Sequence, residues 1–255
     1  MPVTPNGEQI SSPSYRLAAL DDDFLLSREM RGVRFLLEYE KADRALQKRD
    51  IRSTIVVFGS ARIHEHGPGK QGIWYAEARR FGRIASERGG AVCAEGQPHC
   101  NVIATGGGPG AMEAANRGAR DAGAPTIGFN ISLQMEQDPN PYTTPGLTFQ
   151  FHYFAMRKMH LAMRANALVV FPGGFGTLDE LFEILTLRQT KKARYIPVVL
   201  IDEAYWRSII NFEAMVTQGM VNVADLELFR FAETADSAWE ALIAQGLGKA
   251  HPNEA

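Results

Sequence analysis

Two glycine-rich runs in this 255-residue chain have the residue types and spacing to hold an anion. They are Gly106-Gly107-Gly108-Pro109-Gly110 and Pro172-Gly173-Gly174-Phe175-Gly176-Thr177. Each follows a short apolar run and precedes a helical pattern. Each therefore places bare main-chain amides at a helix N-terminus, where the unpaired N–H groups and the positive end of the dipole favour negative charge. Glycine lets a ligand approach the backbone closely and permits positive φ. A single turn of this kind is explained about equally well by backbone needs alone. Two on the same edge of one sheet are not. Neither run is the Gly-x-x-x-x-Gly-Lys-Ser/Thr loop that cradles ATP, and no acidic residue stands where a dinucleotide-binding turn needs one.

The charged residues near these turns each admit two readings. Thr177-Leu178-Asp179-Glu180 has the spacing of a capping box, with Thr177 as N-cap and Glu180 folding back to its amide. Yet a carboxylate beside an anion-binding turn is electrostatically awkward unless it also stabilises positive charge nearby. Arg157-Lys158 lies at the start of a helical pattern, where the dipole gives no reason for cations. The pair is either solvated, or Arg157 grips a phosphate bidentately or orients a carboxylate. Glu113, near the first glycine run, is a second candidate acid, and an early-turn acid favoured by the dipole is its equal alternative. Glu183 reads as a surface acid, and His152 and His160 have no assigned role. Cys93 and Cys100, with His99, supply too few ligands at too wide a spacing for a metal. No metal, cofactor or thiol nucleophile is expected.

Strand and helix patterns alternate along the chain, and the elements they define must position these residues. Thr54–Phe58, Asn101–Thr105, Thr126–Phe129, Leu147–Phe151, Ala167–Phe171, Pro197–Ile201 and Phe229–Glu233 read as short strands. Trp74–Arg88, Ala111–Ala122, Phe154–Ala165, Leu178–Lys191, Tyr205–Gln218 and Ser237–Gln245 read as helices. That order predicts an α/β fold: a single Rossmann-like domain over 21–250, mostly parallel, with helices on both faces. Ligands then sit beyond the carboxyl ends of the strands, where both glycine turns lie. Residues 22–49 form an N-terminal helical extension of one long or two short helices, with Asp21–Asp23 as cap and first-turn acids. Residues 1–20 read as a disordered tail. The stretch 89–100 reads as an inserted surface loop, and 130–146 as a long loop of the kind that is usually functional or disordered.

Bulk composition narrows the partners. The formal net charge is −2 and 45% of residues are apolar. The chain has ample core material and no basic surface for nucleic acid or an anionic membrane. A phosphate must be held by local groups. No apolar run approaches the ~20 residues that span a bilayer, and the first residues lack a signal-peptide pattern. A cytoplasmic protein is expected.

The motifs together resemble the LOG family, cytokinin-riboside-monophosphate phosphoribohydrolases and related AMP-cleaving enzymes. The resemblance rests on Gly106–Met112, Met156-Arg157-Lys158 and Pro172–Glu180, the last matching the specific PGGxGTxxE pattern at every fixed position. The longer context, through residues 106–119, 136–142 and 171–190, also resembles the bacterial branch. The similarity spans roughly Asp22 to the final helix. It implies a Rossmann-like fold, a homodimer with the site near the subunit interface, and hydrolysis of a nucleoside 5′-monophosphate to free base and ribose 5-phosphate. Carried over by position, Arg157 and Glu180 are the catalytic pair, with Lys158 the weaker candidate. Gly173, Gly174, Gly176 and Thr177 hold the phosphate, while Gly107, Gly108 and Ser60 line the ribose-phosphate side. Plant-like members have GLMG where this chain has Gly110-Ala111-Met112-Glu113, which favours AMP over a cytokinin nucleotide. Glu180 acts ionised in this reading, with the neighbouring amides lowering its pKa. Two other functions fit parts of the pattern. A nucleotide sensor needs only the phosphate site. An amino-acid decarboxylase needs a Schiff-base lysine, and no lysine is convincingly placed for one.

Overall fold

The computed structural model describes residues 5–132, 138–192 and 195–247. Part of the 130–146 loop, including Glu136 and Gln137, lies outside these. The chain divides into two compact units, Met1–Lys41 and Ala42–Ala255. No helix among the described residues is long and apolar enough to cross a membrane.

The first unit holds α1 (Gly7–Ser11), 3₁₀ turns at Pro13–Tyr15 and Ala18–Leu20, α2 (Asp22–Leu25) and the opening of α3 (Arg31–Lys48). Residues read as a disordered tail therefore form short helical turns from Gly7 onward, closed by local bonds such as Ile10 N to Asn6 O at 3.1 Å and Tyr15 N to Ser12 O at 3.0 Å. The helical extension is two helices. Asp21 caps α2 by accepting from the Phe24 amide at 3.2 Å. Arg34 of α3 donates to the carbonyls of Leu25 and Ser27 at 2.7 and 2.6 Å, which fixes the link between the two helices.

In the second unit, β1 (Thr54–Phe58), β2 (Val102–Thr105), β3 (Thr126–Ile131), β4 (Thr148–Phe151), β5 (Ala165–Val170), β6 (Val198–Ile201) and β7 (Arg230–Ala232) form one sheet. Its order is β4-β3-β2-β1-β5-β6-β7, and every pairing is parallel. The connecting helices are α4 (Gln71–Gly89), α5 (Ala111–Asp121), α6 (Phe154–Met163), α7 (Phe175–Gln189), α8 (Glu203–Ile209), α9 (Phe212–Thr217) and α10 (Ala235–Ala244). Alternate strand residues face opposite layers, as the pleat requires. Ile55 and Val57 of β1 pack with Phe81, Ala115 and Trp239 from α4, α5 and α10. Val56 and Phe58 pack with Leu161, Leu181, Ile184 and Trp206 from α6, α7 and α8. Both faces are thus covered, which explains the unbroken apolar runs of the strands.

The strand order reverses at β1, whose neighbours are β2 and β5. The loops after β1 and β5 leave the sheet toward opposite layers, opening the crevice where such folds bind ligands. One expectation about an individual element changes. Tyr205–Gln218 is not one helix: Ile210 is extended, and Asn211 starts α9 by accepting from the Ala214 amide at 2.9 Å. The 89–100 stretch precedes β2, so it lies at the amino edge of the sheet, away from the glycine turns. Its Cys93 thiol sits 3.2 Å from His99 Nδ1, and both cysteines are free.

Candidate functional site

The second glycine turn begins α7 earlier than sequence spacing predicts. The helix starts at Phe175 with Gly174 as N-cap and no side-chain cap. Gly174 O accepts from both Thr177 N and Leu178 N at 3.0 Å. The amides of Gly174, Phe175 and Gly176 have no acceptor among the described residues, and all three residues are exposed. This is an unsatisfied helix end facing solvent at the carboxyl edge of β5. The capping box is therefore not formed. Thr177 lies inside the first turn and is buried, with its hydroxyl against Gly173. A Cβ on Gly173 would come within 2.1 Å of Thr177 Oγ1, so only glycine fits there. The turn is held from behind by Tyr205, whose hydroxyl donates to Gly173 O at 2.9 Å.

Glu180, freed from the capping role, points inward. It is 3% exposed, and its Oε1 accepts from Arg157 Nη2 at 2.9 Å. The two residues are 23 positions apart and meet because α6 and α7 lie side by side over the sheet. Glu180 lines a small pocket with Lys158, Leu161, Val56 and Phe58. Burial raises its carboxyl pKa above the ordinary value, and the Arg157 charge opposes that rise without cancelling it. The lowered pKa expected from neighbouring amides is thus reversed in sign, because those amides point outward and the acid is one turn further in. Arg157 Nε is buried with no hydrogen-bond partner among the described residues. The guanidinium lies 5.5 Å from the Phe154 ring centroid. Its Nη1 is 3.7 Å from where a Cβ on Gly106 would stand, which brings the first glycine turn to the pair.

Lys158 does something else. Its Nζ bridges Asp179 at 2.7 Å and Glu183 at 3.1 Å. Burial lowers its pKa, but the two acids more than offset this and the net shift is upward. It ties α6 to α7 rather than offering a free charge to a ligand.

The first glycine turn is buried and largely committed to its own support. Gly107 has φ +70. Its amide donates to Thr105 Oγ1 at 2.9 Å, so it is not the bare donor that the sequence predicts. Its carbonyl accepts from Asn140 N at 2.8 Å and Asn130 Nδ2 at 3.2 Å. Asn140 also donates to Gly108 O at 3.0 Å and to Asn116 Oδ1 at 2.9 Å. Ser60 stands between the two turns: its amide donates to Pro172 O at 3.0 Å and its carbonyl accepts from Ala111 N at 3.2 Å. Glu113 is engaged by Tyr75 Oη at 2.8 Å. His160 is buried between the rings of Phe129 and Phe151.

Sequence reasoning missed the asparagines that set the first turn and the group behind the second. Asp202, at the carboxyl end of β6, is buried at φ +69 and accepts from Lys70 Nζ at 2.8 Å and Trp74 Nε1 at 2.9 Å. A non-glycine residue in that conformation is strained and held by its surroundings. Asn140 lies in the Pro139-Asn140-Pro141-Tyr142 segment already singled out, but its role is visible only once β2 and β3 are adjacent.

This fold and site define a parallel α/β protein with an anion-receptive helix end and a buried carboxylate–guanidinium pair beside it. A family model described as possible lysine decarboxylase matches residues 112–242, and the chain belongs to that family, the LOG family. A probable cytokinin riboside 5′-monophosphate phosphoribohydrolase of Oryza sativa subsp. japonica is 27% identical over 66% of this chain and 64% of its own length. A cytokinin riboside 5′-monophosphate phosphoribohydrolase of Arabidopsis thaliana is 28% identical over 53% of this chain and 63% of its own. The chain thus spans less than two thirds of these curated relatives. Among solved structures, TM1055, a structural-genomics target, has TM-score 0.53 and 20% identity over 75% of this chain and 99% of its own. The molybdenum cofactor binding protein of Rippkaea orientalis has TM-score 0.51 and 18% identity over 76% and 97%. At these identities the structures share the fold alone.

Proposed function

We propose that the chain hydrolyses the N-glycosidic bond of a nucleoside 5′-monophosphate, with AMP as substrate, releasing the base and ribose 5-phosphate. The observation that carries this reading is the Glu180–Arg157 pair set one turn inside the helix whose first amides face solvent. Family membership and the activities named for the relatives support it. The 5′-phosphate docks on the amides of Gly174, Phe175 and Gly176 and on Thr177. That anchors the sugar so that C1′ lies toward Glu180, and binding energy remote from the scissile bond serves orientation.

As the C1′–N bond breaks, its electron pair leaves with the base and positive charge builds on the ribose ring. The Glu180 carboxylate stabilises that charge and takes a proton from the attacking water, whose oxygen bonds to C1′. The base takes up a proton from solvent on leaving, and Glu180 returns its proton to solvent. Arg157 holds Glu180 in place and in its charged form. Lys158 and Lys70 are both ion-paired with pKa values shifted upward, the reverse of the neutral amine a Schiff base requires. This disfavours the decarboxylase reading despite the family description.

Release of adenine from AMP is the direct test, with Glu180→Gln beside the wild type. The variant is expected to lose at least ~100-fold in turnover, the scale of a general acid–base contribution. Near-full turnover by Glu180→Gln would sink the mechanism, and tight AMP binding without adenine release by the wild type would make the chain a sensor.

The same reading makes the protein a cytoplasmic homodimer. An open groove of about 660 Å³ on the α6–α7 flank is lined by Ala155, Met159, Met163 and Leu187 and ends at Lys158 and Glu183. A second copy covering this apolar groove would close the flank of the Glu180 pocket.

A further inference from the structure

The phosphate dock just described lacks a full countercharge. A helix N-terminus supplies roughly half an elementary charge, whereas a phosphate monoester carries about −1.5 to −2 at neutral pH. The cations around this edge of the sheet are mostly neutralised by the protein. Arg157 faces Glu180, Lys158 faces Asp179 and Glu183, Lys70 faces Asp202, and Arg117 faces Glu65. Arg62 is different. It is exposed and has no acid within ion-pair distance among the described residues.

Its position is fixed by the backbone. Ser60 to Ile63 is a tight turn: Ser60 O accepts from Ile63 N at 3.4 Å, and Ser60 Oγ accepts from Arg62 N at 3.1 Å. Ile63 is 2% exposed and anchors the far side of the turn in the core. The near side is wedged between the two glycine turns. A Cβ on Gly59 would lie 2.6 Å from Ala111 Cβ and 2.9 Å from Phe171 Cβ, and one on Gly110 only 2.2 Å from Ser60 O. Arg62 is thus a long, unpaired cation at the tip of a rigid turn, set at the switch point between β1 and β5.

We propose that Arg62 is the phosphate countercharge, pairing with the 5′-phosphate of the nucleotide and giving the site its preference for nucleotides over nucleosides. The inference rests on the hydrolase reading for its substrate but not for its chemistry, which any phosphorylated ribose shares. A guanidinium meets two phosphate oxygens at once, which an ammonium cannot do.

The test compares wild type, Arg62→Ala and Arg62→Lys by AMP kinetics and by inhibition with ribose 5-phosphate and with adenosine. Arg62→Ala is expected to raise the AMP KM and the ribose 5-phosphate inhibition constant roughly 10- to 100-fold, the scale of one charge-assisted bond. Adenosine inhibition is expected to stay within about threefold, any fall in turnover at saturation to be smaller than the fall in kcat/KM, and Arg62→Lys to recover part of the loss. An unchanged AMP KM in Arg62→Ala, or an equal loss for adenosine, overturns the assignment. If the wild type releases no base, the hydrolytic reading fails alone, and calorimetric binding of ribose 5-phosphate to the same three proteins still decides the role of Arg62.

Discussion

Glu180 and Arg157 oppose each other in a way that pH can read. Desolvation penalises the ionised carboxyl and lifts its pKa above 4.5, while the guanidinium pulls the other way. If the carboxylate is the working form, activity is present above the raised pKa and lost as pH falls through it. The acid limb of the turnover profile is then expected above that of an exposed glutamate. Arg157→Ala removes the opposing charge, so the limb is expected to move to still higher pH, in addition to any drop in rate. A limb that stays put or moves down would show that another group titrates there. Neither the burial of Glu180 nor its partner is written in local sequence. The T-x-x-E spacing signals a cap, and only the three-residue-earlier start of α7 turns that side chain inward.

At the level of elements, the strands and the two glycine turns were legible because their signals are local: short apolar runs, with those of β1, β2 and β5 leading into glycine. What was not legible depends on neighbours distant in sequence. Asn130 and Asn140 bond Gly107 from 23 and 33 positions away, and Tyr205 reaches Gly173 across 32. The break between α8 and α9 was missed because Asn211 favours its own turn over helix continuation. These long-range supports predict the effect of Gly107→Ala. A Cβ there would stand 2.0 Å from Asn130 Oδ1, at a φ that side chains avoid. The substitution is expected to cost about 1–3 kcal/mol, read as a lower denaturant midpoint. Asn130→Ala in the same chain would relieve the clash and recover part of the loss.

For the whole molecule, the proposed dimer would join assembly to activity through the flank formed by α6 and α7. Size-exclusion chromatography with light scattering is expected to give a mass near twice 28.1 kDa. Met159→Glu places a charge in the apolar groove and is expected to yield a folded monomer with reduced adenine release. A stable interface of standard size covers ~800 Å² on each copy, so one buried charge is a severe defect. A wild-type monomer with full turnover would remove the dimer from the proposal. That the sheet is parallel and covered on both faces was readable from alternation alone. The division of the chain at residues 41 and 42 was not, because the helical pattern of α3 runs through it without a break.

The bare start of α7 has a thermodynamic side. A glycine N-cap such as Gly174 is only about a few tenths of a kcal/mol poorer than a serine, threonine, aspartate or asparagine cap, but it leaves the first amides without a side-chain acceptor. Nothing in Gly173-Gly174-Phe175-Gly176 carries a side-chain oxygen that might quench those N–H groups from within. The fold thus keeps one helix end in deficit, and whichever anion settles there repays the debt and tightens the native state.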